Sequence, residues 1–230
     1  MFKGRLKTFL GTQTPQGASG PGVNATASSA QGTPGGKSYS RQSNGLDQFF
    51  HAIRGQYALS IVDFAGASQA NVSFITEMGH RLSSEDYIRS LELTFGGEDF
   101  YEKQADEELV QRFLAENLNF QEGQFDGALV WDSLQFLSPP LLQITVDRLY
   151  HILRPNSSLL AFFSSDEKTK QVPLYRYQIG DAKTLVLTPR GHKQRAQYFN
   201  NRGLEKLFHR FQSVKFFLTR DNLREIIVRR

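Results

Sequence analysis

At 230 residues, 39% of them hydrophobic, the chain can bury one sizeable core with a tail to spare. It contains no cysteine, which excludes disulfides, thiolate metal sites and a cysteine nucleophile and fits a reducing, cytoplasmic setting. The net charge of +4 hides a segregation: residues 1–45 carry five basic groups and no acid, residues 46–167 seven basic against 19 acidic, and residues 168–230 fifteen basic against four acidic. The basic C-terminal third either attracts an anionic partner or neutralises the acidic middle of the same fold.

Taken in order, Met1 to Leu10 interleaves apolar and basic residues, as a small peripheral anchor or as a plain flexible terminus. Residues 11–45 are mostly Gly, Ser, Thr, Pro, Ala and Gln, which cannot bury enough surface to offset the entropy of ordering. A disordered tail is therefore expected over residues 1–45, removable without moving the unfolding midpoint, and a folded domain over 46–230. Leu46, Phe49, Phe50 and Ile53 share one helical face. Leu59 to Phe64 reads as a buried strand ending in Asp63. The turn Ala65-Gly66-Ala67-Ser68 leads into a helix with Ala70, Phe74, Ile75 and Met78 inward, stopped at Gly79. His80 to Ser83 reads as a short strand, followed by Glu85 and Asp86 in a helical first turn capped by Ser83. Asp106 opens a helix with Leu109, Phe113 and Leu114 inward.

The stretch from Phe125 to Phe163 organises the chain. A buried strand, Phe125 to Val130, ends in the polar break Trp131-Asp132. A helix starts near Ser138, where Pro139 fits the first turn and Leu142, Val146, Leu149 and Leu153 keep helical spacing. Arg154 before Pro155 ends it, and Ser157 to Phe163 is a second buried strand. Strand, helix, strand is a parallel crossover, so a helix-covered sheet is implied, with ligands beyond the carboxyl ends of its strands. Leu174 to Ile179 and Thr184 to Thr188 flank Gly180-Asp181 like an inserted hairpin. Leu204, Leu207, Phe208 and Phe211 define a last helix, and Val214 to Thr219 with Leu223 to Val228 a closing strand pair.

This order of elements resembles class I S-adenosylmethionine-dependent methyltransferases, whose late motifs run FD-apolar-apolar-x-x-D-x-L-x-x-L and then L-R-P-G-G-x-L-L. Phe125-Asp126, Asp132, Leu134, Leu137 and Leu153-Arg154-Pro155 match, while Asn156-Ser157 replaces Gly-Gly and Gln135-Phe136 replaces Glu-His. The resemblance implies an α/β fold over about residues 55–230: a three-layer Rossmann-like methyltransferase sandwich, its sheet mostly parallel with an antiparallel C-terminal strand pair, and with Asp63 and Asp132 ending neighbouring strands. It implies S-adenosylmethionine as cofactor. Aligning the family's D-x-G-x-G-x-G on Asp63 puts Ala65, Ala67 and Gln69 at the glycine positions and leaves Gly66 as the one glycine. The ribose-binding acid falls on Glu85 or Asp86, in addition to or instead of their part in a helix start. Ala115 to Phe120 resembles D-A-x-x-L-P-F with Leu114 at the adenine-contacting Asp, so either Glu116 substitutes or the contact is missing. The implied cofactor set is thus Asp63, Ala65, Gly66, Ala67, Ser68, Glu85, Asp86, Glu116, Trp131 and Asp132.

Five histidines without metal-ligand spacing, and the absence of G-x-S-x-G and of a phosphate-binding G-x-x-x-x-G-K-[ST], leave no metal, hydrolase or nucleotide-hydrolase reading. No run of about 18 apolar residues spans a membrane. Without a cysteine or an N-P-P-Y turn, nucleic-acid methylation is disfavoured and a small-molecule or protein acceptor is expected. Trp131, Asp132 and Ser164 stand where chemistry would occur, though none is assigned as a base. Tyr175, Arg176 and Tyr177 either contact the acceptor or pack as a ribbon. Two functions follow: methyl transfer, or a methyltransferase-like scaffold without cofactor that serves as a binding or assembly module. Because a residue other than glycine forced to positive φ costs about 1–2 kcal/mol, the cofactor is expected to bind weakly.

Overall fold

In the computed structural model, residues 37–219 and 221–230 are described; the expectation of a disordered tail lies outside them as far as residue 36. The strand β1 (Tyr39–Gln42) and the helix α1 (Asn44–Ile53) open the described part. They correct the domain boundary from Leu46 to Tyr39, because β1 pairs antiparallel with a strand some 145 residues later. There follow β2 (Ser60–Asp63), α2 (Gln69–Glu77), β3 (Arg81–Ser84), α3 (Tyr87–Phe95), the short α4 (Phe100–Lys103) and α5 (Glu107–Asn117). The central unit is β4 (Phe125–Trp131), a 3-10 turn over Ser133–Phe136, α6 (Pro139–Ile152) and β5 (Leu153–Ser164). The chain continues through β6 (Gln171–Asp181), β7 (Thr184–Gln194), α7 (Asn201–Leu207), β8 (Ser213–Leu218) and β9 (Leu223–Arg229).

Two expected details move. Ser83 lies within β3 and the cap of α3 is Asp86, whose side chain accepts the Arg89 N–H. Phe208 and Phe211 lie past the end of α7 but still enter the core. The Gly-Gly replacement is tolerated in β5 because Asn156 takes φ +66°, a conformation that asparagine reaches more readily than most residues.

Six strands form the main sheet in the order β3-β2-β4-β5-β9-β8. The first four run parallel, β9 is antiparallel to β5 and to β8, and the expected Rossmann-like sheet with an antiparallel C-terminal pair is thereby realised. Strand alternation assigns the layers. Val62, Ala128, Val130, Leu159, Ala161 and Phe163 face a core closed by α3, α5, α6 and α7; Ile61, Leu129, Leu160 and Phe162 face a second core closed by α1, α2 and the β6–β7 hairpin. Strand β1 joins this hairpin to make a separate sheet, β1-β7-β6.

The best-matching motif residues hold the sheet rather than a ligand. Asp126 accepts the Ser60 N–H at 2.8 Å and pairs with Arg154 at 2.8 Å, so it ties β2, β4 and β5 together at their amino ends. Across the sheet, Glu225 of β9 is fully buried and accepts from Arg41, from the Ser43 hydroxyl at 3.0 Å and from the Gly45 N–H at 2.6 Å. Gly45 permits that approach: a Cβ there would lie 2.8 Å from Leu160 and 3.0 Å from the carboxylate. The acid also sits at the first turn of α1, where the helix dipole favours it.

Candidate functional site

The connections reverse direction between β2 and β4, since β2 leads outward through α2 to β3 and β4 leads the other way through α6 to β5. The crevice at the carboxyl ends of those two strands is where ligands of such sheets bind. Asp63 ends β2 and Asp132 follows β4, as expected of neighbouring strands.

Asp63 spends its carboxylate inside the fold. One oxygen accepts the Trp131 indole N–H at 2.6 Å and the Ala65 N–H at 2.9 Å; the other accepts the Asn71 amide at 2.8 Å. Burial raises its pKa, against the lowering effect of these three donors. Asn71, in the first turn of α2, also donates to the Tyr177 carbonyl at 3.3 Å and accepts the Ile179 N–H at 2.8 Å, so α2 fastens the hairpin over the crevice. Trp131 holds φ +56° and is stacked on Tyr177, with ring centroids 5.0 Å apart and planes 9° from parallel.

The turn after β2 relaxes instead of straining. Gly66 takes φ +82°, while Ala65 and Ala67 avoid positive φ altogether. The turn then lies against the end of β3: the Gly66 N–H donates to the Glu85 carbonyl at 3.1 Å, the Glu85 N–H donates to the Asp63 carbonyl at 2.8 Å, and Ala65 bridges Asp86. A Cβ on Gly66 would meet the Asp86 side chain at 3.1 Å. Ser68 precedes α2 without capping it through its side chain, and its hydroxyl accepts from Gln178 at 3.4 Å. Glu85 does stand just past the carboxyl end of β3, half-buried.

Glu116 is not brought to the crevice. It is exposed in the last turn of α5, which leads into the amino end of β4, and the run Ala115 to Phe120 is a helix end and its exit. Of the implied cofactor set, Ala65, Asp86, Trp131 and Asp132 line a small space at the crevice. With Phe64 and Tyr177 they surround about 10 Å³, at most one water's worth. In this conformation that space is too small for S-adenosylmethionine.

A roomier cavity of about 240 Å³ opens beyond Asp132, over the ends of β4 and β5 and under the hairpin. Its walls include Tyr39, Arg41, Gln135, Ser164, Tyr175 and Asp221. Asp132 is 4% exposed, and its Oδ2 has no hydrogen-bond partner; neither has the hydroxyl of Tyr177, which is 1% exposed. Burial pushes the Asp132 carboxyl up to about 7 despite the opposing effects of Tyr177 and Arg190. Burial and the facing Asp132 push the Tyr177 hydroxyl well above its ordinary value. Arg41 lies 2.9 Å from Asp221 and also pairs with Glu225. Sequence reading missed Tyr39, Arg41 and Asp221, since the first two lay in the expected tail and nothing local marks the third. It did single out Ser164, Tyr175 and Tyr177.

No family model matches the chain, and no curated protein matches it in sequence. Solved structures similar to it include Burkholderia thailandensis 1,6-didemethyltoxoflavin-N1-methyltransferase with bound 1,6-didemethyltoxoflavin and S-adenosylhomocysteine (16% identity, 81% of this chain and 77% of that chain, TM-score 0.45). A SAM-dependent methyltransferase from Archaeoglobus fulgidus is similar at 11% identity over 80% of this chain and 91% of that one, with TM-score 0.46. Haemonchus contortus phosphoethanolamine N-methyltransferase 2, in complex with S-adenosyl-L-methionine, is similar at 8% identity over 81% and 52%, with TM-score 0.46. The fold itself rests on strand order and register.

Proposed function

We propose that this chain is a methyltransferase-like scaffold that works as a small-molecule binding module, with its ligand in the cavity beyond Asp132. The observation that carries this reading is the filling of the switch-point crevice: Asp63 is satisfied by Trp131, Ala65 and Asn71, Tyr177 stacks on the indole, and about 10 Å³ is left. A cofactor entering there would have to break bonds to a buried carboxylate, each worth roughly 1.5–3 kcal/mol. The larger cavity needs no such rearrangement.

S-adenosylmethionine-dependent methyl transfer is the second reading, favoured by Glu85 standing past the carboxyl end of β3, where the methyltransferase resemblance places a ribose-binding acid. It requires the Trp131–Tyr177 stack to part and the turn at Gly66 to leave β3. Trp131 is the chain's single tryptophan, so its emission reports on the crevice directly. Titration with S-adenosylhomocysteine, read by that emission and by calorimetry, is expected to leave both signals flat at micromolar ligand. Tight stoichiometric binding that disappears in Glu85→Ala would establish the second reading instead.

A further inference from the structure

We infer that the cavity beyond Asp132 binds a small organic cation, a primary or methylated amine, held between the Asp132 carboxylate and a wall of tyrosines. The inference rests on the binding-module reading and names its ligand class.

Charge is the first reason. Asp132, Asp166 and Asp221 line the cavity against one basic side chain, Arg41, which pairs with Asp221 and the buried Glu225 while its Nη1 makes no hydrogen bond, and Arg190 acts on Asp132 from the neighbouring crevice. Above about pH 7, where Asp132 is ionised, an anion would meet three carboxylates and an arginine already paired with two acids. The second reason is the unmet hydrogen-bonding capacity of Asp132. Its Oδ2 lacks a partner at hydrogen-bond distance, the Tyr177 hydroxyl being the group that faces it, and an ammonium at the Asp132 carboxylate would bring donor and opposite charge together. A quaternary amine supplies the charge alone.

The third reason is aromatic. Tyr39 packs edge-on against Tyr175 with centroids 6.1 Å apart, and Tyr175 packs edge-on against Tyr177 at the same separation. All three line the cavity; Tyr177 has one face against Trp131, and an alkylated ammonium that reaches the face of Tyr39 or Tyr175 would be stabilised by the ring quadrupole. Burial and then the neighbouring Tyr39 raise the Tyr175 hydroxyl pKa, and the fields of Asp221 and Asp132 add to it, so the acids and the rings act on one space. At about 240 Å³ the cavity has room for roughly eight water-sized groups, enough for a choline or an arylethylamine.

The test is calorimetric titration of the full chain with choline and with phenethylamine, each beside a neutral isostere in which carbon or hydroxyl replaces the charged nitrogen. The amines are expected to bind at least about tenfold more tightly than their isosteres. Asp132→Asn is expected to remove that preference, and Tyr175→Leu, at a half-buried position that leaves Asp132 in place, to weaken the amines several-fold while circular dichroism stays unchanged. Affinity is also expected to rise with pH through about 7 as Asp132 ionises, with Tyr175 and Tyr177 of β6 and Arg190 of β7 facing it. Isosteres that bind as tightly as the amines, or amines that fail to bind at millimolar concentration while S-adenosylhomocysteine also stays inert, would overturn the cation and leave the module reading standing. Glu85-dependent binding of S-adenosylhomocysteine would overturn the module reading itself.

Discussion

Asp63 and Asp132 end neighbouring strands, and burial raises the pKa of both, but their partners give them opposite roles. Asp63 has donors on both oxygens, so its carboxylate is a staple between β2, β4 and α2. Replacing Trp131 by Phe removes the indole donor from a buried acceptor and empties some volume beside Tyr177. Trp131→Phe should therefore cost about 3 kcal/mol in urea unfolding, and a loss below about 1 kcal/mol would mean that the Asp63 bond is not formed. Asp132 has an unpartnered oxygen, and its carboxyl is raised from 3.8 to about 7. A group raised in the folded state contributes stability that is full below its unfolded pKa and is lost as pH rises through the folded one. The window here runs from about pH 4 to about pH 7, and the loss is on the order of 4 kcal/mol at most. Compared with Asp132→Asn, the wild-type chain should lose stability steadily across that window. A difference that stays flat with pH would show that the carboxyl is solvated.

At the scale of elements, the segment from Tyr39 to Gly45 belongs to the fold. It supplies a strand to the hairpin sheet, the Ser43 cap of α1, and three of the groups that satisfy Glu225. Deleting residues 1–45 should leave a buried carboxylate unpartnered, a cost of about 3–5 kcal/mol, and lower the unfolding midpoint by roughly 10 °C. Deletion of residues 1–36 serves as the comparison; equal midpoints for the two truncations would restore the boundary at Leu46. The parallel crossover and the closing strand pair were legible because their signals are local: helical spacing over Leu142, Val146 and Leu149, and the Arg154-Pro155 break. Strand β1 was not, since a four-residue polar strand declares itself only through β7, and its Gly, Ser and Gln neighbours have a linker's composition. The site was half legible for the same reason. Asp63, Trp131 and Asp132 were singled out from strand ends, whereas Tyr39, Arg41 and Asp221 converge only after the chain has folded, and Glu116, one of two alternatives for the adenine contact, stands in the last turn of a helix away from the crevice.

Across the whole molecule, the main sheet separates two cores, and only the second lies under the hairpin. The helices α3, α5, α6 and α7 can therefore stay packed while the opposite face loosens. Asn71 is the link that couples hairpin to crevice: it is fully buried, it donates to Asp63 and to the Tyr177 carbonyl, and it accepts the Ile179 N–H. Truncating it to alanine leaves a buried carboxylate oxygen and two backbone groups short of partners, a loss of about 2–4 kcal/mol by the usual cost of such orphans. If the faces are energetically separable, that loss should appear locally. Amide hydrogen exchange in Asn71→Ala should accelerate across β6 and β7 and at the start of α2, while amides in α5 and α6 keep wild-type protection. A uniform acceleration on both faces would mean that the sheet transmits the defect and the domain opens as one unit. In that event the hairpin is part of the global folding unit, and the crevice beneath it could be exposed to a cofactor only by unfolding the chain.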